Sequence, residues 1–216
     1  DTVLPTLLDT VRTAPCVVLS AAPGAGKTTR VPLALLRSGI IDGRIIMLEP
    51  LRLAATRAAS YMAAELGEKV GETVGYRIRG DSRISTRTRI EVVTEGILAR
   101  LVQDDPELAG IGLVIFDEFH ERSLHADLGL ALARDVQLQW RDNLKLLVMS
   151  ATLDGVAVSA LLNAPVIDST GRSFPVDTIY LGRDNNLPLE NQVAQAVLRT
   201  TGEQAGDLLV FQPGQR

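Results

Sequence analysis

Cysteine is nearly absent: Cys16 stands alone in 216 residues, so no internal disulfide can staple the fold, and a reducing compartment fits. Its place in the apolar run CVVLS makes it a small core residue. Aromatic residues make up 4% of a chain that is 46% hydrophobic. That balance disfavours an aromatic-rich β-barrel and suits helices packed on a parallel sheet. No apolar stretch reaches the length of a membrane span, and the opening DTVLPTLLDTVR lacks the basic and apolar regions of a signal peptide. These absences set the expectation of a soluble, cytoplasmic protein with no membrane partner. Self-similar periods and low-complexity tracts are also missing. With 216 residues, a single α/β domain plus an appendage is the expected organisation.

Short apolar, β-branched runs are what the chain does have: CVVLS at 16–20, RIIML at 44–48, RIEVV at 89–93, LVIF at 113–116 and KLLVM at 145–149. Helical patterns follow them over 28–37, 53–66, 95–102 and 123–140. Strands that are apolar on both faces and alternate with helices predict a doubly wound parallel sheet sandwiched between helices. The pattern changes near Gly171, where GRSFPVDTIYLGRDNNLPLE mixes turn residues with a short strand. A helix over 189–200 and a strand in DLLVF are expected beyond it. The boundary is placed at 172/173, with the second part read as a linker and the beginning of a further domain.

The net charge of −4 argues against a wholesale polyanion coat, yet Gly75 to Ile90 carries Arg77, Arg79, Arg83, Arg87 and Arg89 against Asp81 alone. A solvated loop whose arginines pair with acids elsewhere and a phosphate-facing surface explain this stretch equally well.

Chemistry concentrates in two places. CVVLS runs into AAPGAGKTTRVPLALL, which meets the phosphate-loop pattern GxxxxGK[ST] at Gly26, Lys27 and Thr28 and departs from it at Ala21. Gly24 and Gly26 supply the torsions that let backbone N–H groups curl around a phosphate. Lys27 would then reach the β- and γ-phosphates and Thr28 would ligate Mg²⁺. The second place is LVIFDEFHERSL, where Asp117 and Glu118 end a buried strand. Asp117 suits a second magnesium contact, and Glu118 suits orientation or deprotonation of water. Plainer readings are a helix cap for Asp117 near Ser123 and a surface pair for Glu121 and Arg122. The phosphate loop, together with SAT at 150–152 after another strand, favours nucleotide hydrolysis.

GAGKTT, EPLRLAA, VGYRIR, VVTEGIL, DEFHERSLHADL, VMSATLD, GRSFPV and VFQPG occur in the order of, and at spacings similar to, the DEAH-box superfamily 2 helicases. The resemblance covers their whole first RecA-like domain, and DEFHERSL resembles the bacterial HrpB-type branch. It implies a P-loop NTPase fold and an ATP-dependent helicase using Mg²⁺. Pro23, Gly24, Ala25, Gly26, Lys27, Thr28 and Thr29 would form the phosphate cradle. Asp117 would complete the metal site with Thr28, and Glu118 would be the catalytic base. His120, Ser150 and Thr152 would couple the γ-phosphate to domain movement. Arg52 and Thr94 would meet the backbone of single-stranded RNA or DNA, RNA being favoured by family.

Departures from the family pattern are Phe119 for the alanine of DEAH, Leu51 for the first of two arginines, Glu95 for an aspartate, and Tyr61 where an adenine-stacking arginine is usual. Arg57 lies one helical turn before Tyr61. The resemblance also implies partners within a longer chain, a second RecA-like domain and C-terminal domains, the former bearing arginine fingers in a QRxGRxGR-type segment that these residues lack. A nucleotide-switched clamp or assembly factor is the alternative; a small-metabolite P-loop kinase leaves SAT and TEGIL unexplained.

Overall fold

The computed structural model describes residues 3–22, 24, 26–151, 155–169, 176–182, 186–203 and 205–211. The chain divides into two compact units, Asp1–Arg172 and Ser173–Arg216.

In the first unit, α1 (Leu4–Thr13) leads into β1 (Cys16–Ala21), α2 (Lys27–Ser38), β2 (Arg44–Glu49), α3 (Arg52–Glu65), the hairpin β3 (Val74–Ile78) and β4 (Asp81–Arg83), β5 (Ile90–Thr94) and α4 (Glu95–Asp104). It continues through β6 (Ile111–Phe116), a short 3₁₀ turn (Phe119–Glu121), α5 (Leu124–Gln139), β7 (Lys145–Ser150), α6 (Gly155–Leu162) and β8 (Val166–Ser169). The eight strands form one sheet in the order β4-β3-β5-β2-β6-β7-β1-β8. Every pairing is parallel except β3 with β4.

Successive side chains of a strand face opposite ways, and the two faces have separate cores. Val17, Leu19, Ile45, Met47, Leu113 and Ile115 pack with Leu7 and Val11 of α1, Val31 and Leu35 of α2, and Ala55, Ala59 and Met62 of α3. The alternate residues Cys16, Val18, Ile46, Leu48, Val114 and Phe116 pack with Leu98 of α4, Leu130 and Ala133 of α5, and Val158 of α6. Two covered faces explain why these strands read as unbroken apolar runs. Because the long strands are parallel, the loops that follow β1, β2, β5, β6 and β7 all emerge at one edge of the sheet.

The arginine-rich stretch is a hairpin on a strand rather than a loop. Arg77 reaches Glu91 on the neighbouring β5 at 2.8 Å, and that carboxylate, fully buried, also has Arg44 at 3.5 Å. Arg87 pairs with Glu72 at 3.6 Å, and Arg89 donates to the Gly43 carbonyl at 3.2 Å. Arg79 and Arg83 remain exposed.

The second unit contains α7 (Leu189–Glu203). The strands expected in the 171–190 segment and in DLLVF are not formed among the described residues: 176–182 and 205–211 carry no strand. A strand requires a ladder partner, and the described residues of this unit supply none. Leu209 and Phe211 are accordingly 77% and 85% exposed. Among the described residues no helix is long and apolar enough to cross a membrane.

Candidate active site

Strands β6, β7 and β1 are neighbours, with Val148 of β7 level with Phe116 of β6 and Ser150 level with Ser20 of β1. The loops that follow them converge for this reason. Ligands of open parallel sheets bind at this carboxyl edge.

After β1 the chain turns through Gly24 and Gly26, whose φ angles of +77° and +74° lie in the left-handed region that favours glycine. Gly26 is the N-cap of α2, so Lys27 and Thr28 begin the helix with their N–H groups at its positive end. Lys27 is 5% exposed, and its Nζ lies 2.9 Å from Glu118 Oε1. Thr28 Oγ1 donates to Asp117 Oδ2 at 2.5 Å.

Asp117 extends the β2–β6 ladder by donating its N–H to the Leu48 carbonyl at 3.1 Å, while its Oδ1 accepts the Glu118 N–H at 2.8 Å. Glu118 then takes a φ of +47°, a costly conformation for a non-glycine residue. That turn aims its two oxygens apart: Oε1 at Lys27, and Oε2 at His120 Nε2, 3.4 Å away. His120 Nδ1 accepts the Ala151 N–H at 3.2 Å. The accepting Nδ1 places the imidazole proton on Nε2, facing Glu118. Lys27, Glu118, His120 and the SAT segment thus form one continuous polar chain across three strands. Ser150 is buried beside it, while Thr29 continues the first turn of α2. Pro23, Ala25 and Thr152, expected in the same site, lie outside the described residues.

Neither plainer reading of LVIFDEFHERSL matches the contacts. Ser123 caps α5 itself by accepting from the Ala126 N–H. Arg122 pairs with Asp127 at 3.0 Å, not with Glu121, and lies over the Phe119 ring.

One residue escaped the sequence reading. Glu49 ends β2 as Asp117 follows β6, is 2% exposed, and lies close enough to Asp117 to feel its charge. Burial, reinforced by the charge of Asp117, pushes its carboxyl up to about 9. Asp117 is itself pushed up by burial, against the pull of its bonds from Thr28 and the Glu118 N–H. The signal was present in RIIMLE beside LVIFDE, two buried strands each running into an acid.

Arg52 and Thr94 lie farther along the same edge. Arg52 is exposed at the first position of α3. Thr94 is level with Glu49 on the adjacent strand and precedes α4, and its hydroxyl does not cap that helix. Neither residue joins the polar chain around Lys27. Tyr61, 54% exposed, lines a cleft of about 250 Å³ with Thr29, Arg30, Leu33 and Arg37, whereas Arg57 is not part of its lining.

The DEAD/DEAH box helicase family model matches residues 2–160. The chain is 54% identical over 213 residues to the ATP-dependent RNA helicase HrpB of Escherichia coli (strain K12), covering 98% of this chain and 26% of that protein. It is 34% identical over 214 residues to the probable ATP-dependent RNA helicase DHR2 of Saccharomyces cerevisiae (strain ATCC 204508 / S288c), covering 97% and 29%. A crystal structure of the Escherichia coli DEAH/RHA helicase HrpB superposes with a TM-score of 0.94 at 53% identity, over 99% of this chain and 28% of that one. This chain therefore spans between a quarter and a third of the length of these relatives. The fold is a RecA-like P-loop domain, and the chain belongs to the DEAD/DEAH box helicase family.

Proposed function

We propose that this chain is the nucleotide-binding part of an ATP-dependent RNA helicase, with residues 1–172 as its first RecA-like domain and 173–216 as a linker and the start of the second. The observation that carries the reading is the polar chain from Lys27 through Glu118 and His120 to Ala151, set beside the Thr28–Asp117 contact.

The residues fit Mg²⁺ with ATP. A hydroxyl and a carboxylate are hard oxygen donors of the kind that cation takes, and burial leaves the charged form of Asp117 in need of a counter-charge. Bound there, Mg²⁺ supplies charge neutralisation on the β- and γ-phosphates. Thr28 and Asp117 would hold it, Asp117 through water. Lys27, now on Glu118, would turn to phosphate and leave Oε1 of Glu118 free to hold the attacking water. His120 keeps the other oxygen fixed, so the base stays oriented, and it transmits the state of the site to the SAT segment. Tyr61 offers a ring face to the nucleobase from its cleft. Arg52 and Thr94 would hold the phosphates and sugars of a single strand, RNA being the polymer acted on by the named relatives.

The test is Glu118→Gln in the full-length protein. ATP binding is retained and hydrolysis falls by roughly two orders of magnitude or more, as for loss of a positioned base. Wild-type turnover in that variant overturns the assignment, and strand displacement by the wild type separates a helicase from a nucleotide-switched clamp.

A further inference from the structure

Phe119 stands between two members of the polar chain, Glu118 and His120, and the roles above leave it unused. It opens the 3₁₀ turn Phe119–Glu121, which has left-handed backbone on both sides, with φ of +47° at Glu118 and +45° at Arg122. Neither residue is glycine, so both conformations are costly, and such backbone persists only where its surroundings impose it. The turn's own hydrogen bonds are few: the Glu121 N–H donates to the Glu118 carbonyl at 2.9 Å, and the Arg122 N–H to the Phe119 carbonyl at 3.2 Å. Phe119 is the one residue of the turn that is buried, at 4% exposure. Its ring meets Phe116 edge to face, with centroids 6.1 Å apart and planes at 87°, and it belongs to the same core as Leu130 of α5 and Val158 of α6. The Arg122 guanidinium lies over the ring, 5.6 Å from its centroid, and is pinned by Asp127 at 3.0 Å.

The stack of Phe116, Phe119, Arg122 and Asp127 ties the turn at both ends, to the last residue of β6 and to the first turn of α5. A side chain's direction follows its backbone, so whatever holds this turn also sets where Glu118 and His120 point on either side of the ring. We infer that Phe119 is a positioning residue for the reaction: its buried ring keeps the strained turn in place, and the turn keeps the Glu118 carboxylate aimed at Lys27 and His120. This role rests on the nucleotide-site reading, in which Glu118 is the base. Alanine, the residue of the DEAH pattern at this place, is too short to reach Phe116 or to lie under Arg122. The ring also lines a cleft of about 840 Å³ between α5 and α6, together with Leu130, Val158 and Leu162. Truncation here withdraws the turn's support and widens that cleft, whereas a leucine keeps an apolar anchor in the core.

The experiment measures steady-state ATP hydrolysis by the full-length protein for Phe119→Ala and Phe119→Leu, each alone and combined with Glu118→Gln. Melting establishes that each variant is folded, and the stoichiometry of a bound fluorescent ATP analogue counts the competent sites. Phe119→Val replaces the alanine variant if that one does not fold. Phe119→Ala lowers kcat per site roughly ten- to a hundredfold and leaves the KM for ATP within about twofold of wild type, the pattern of a misplaced catalytic group. Phe119→Leu recovers kcat to within about threefold of wild type, as apolar replacements of similar volume are tolerated. Added to Glu118→Gln, the alanine substitution changes the residual rate by less than about twofold, because a residue that acts through the base has nothing left to act on. A folded alanine variant with the wild-type kcat per site overturns the inference. So does a leucine variant as impaired as the alanine one, or a loss equally large in the Glu118→Gln background, which marks a general loosening of the fold. If Glu118→Gln alone keeps wild-type turnover, the nucleotide-site reading itself falls, a result distinct from the other three.

Discussion

The carboxyl edge of the sheet has two halves built on opposite terms. Around β1, β6 and β7 the charged groups are buried and tied to one another, with Lys27 5% exposed on Glu118 and Asp117 equally enclosed. Around β2 and β5 the candidate contact groups are loose: Arg52 is exposed, and the Thr94 hydroxyl is not used to cap its helix. On the proposed function, the difference follows from what each half would hold. A reaction at one phosphate needs donors fixed in place before the substrate arrives. A strand that slides past needs contacts that are easily made and released, and phosphate contacts carry no sequence information.

Glu49 stands where the halves meet, level with Thr94 and against Asp117, and the largest expected effect belongs to it. In the unfolded chain its carboxyl titrates near 4.5, whereas the folded protein keeps the proton until about pH 9. Between those values the unfolded state binds fewer protons, so stability falls as pH rises, by on the order of 1 kcal/mol per pH unit, and levels off above the folded value. Glu49→Gln removes this slope. Melting temperatures of the nucleotide-free protein between pH 5 and pH 9 measure it, and equal slopes for wild type and variant would show that the burial of this acid has been misread.

A cut through the tight half comes next. Lys27→Ala removes the cation that holds Glu118 and, on the proposed function, a charge-assisted phosphate contact with it. Nucleotide affinity is expected to fall roughly ten- to a hundredfold, the range for a hydrogen bond to a charged group. Single-strand affinity without nucleotide should change little, because Lys27 lies in the other half of the edge. Equal losses in both assays would break the division between the halves.

The tight half was also the more legible one. Five strands and four helices were readable because both faces of the sheet are covered and the strands are apolar throughout, and GKT and DEFH carry chemistry at fixed spacing. What escaped depends on neighbours across the sheet. Arg77 reads as one more exposed cation until β5 places the buried Glu91 beside it. Glu49 reads as the acid before a proline until β6 brings Asp117 against it. DLLVF has the composition of a strand, but composition does not supply a ladder partner, and 205–211 carry no strand.

The smallest effect is expected in the loose half, from Arg52→Ala. A cation at the first position of a helix faces the positive end of its dipole, and α3 has no side-chain cap to offset it. Arg52 therefore contributes nothing favourable to helix stability, and its removal should leave the melting temperature unchanged or slightly raised. The fold is not a confounder in this variant, which makes a modest loss of binding interpretable. Affinity for single-stranded RNA should fall to a similar degree across sequences, and the slope of log affinity against log salt should decrease in magnitude by ~1, one phosphate contact's share. Nucleotide affinity should match wild type. A changed sequence preference with an unaltered salt slope would place Arg52 on a base, and the loose half of the edge would then be reading sequence instead of holding backbone.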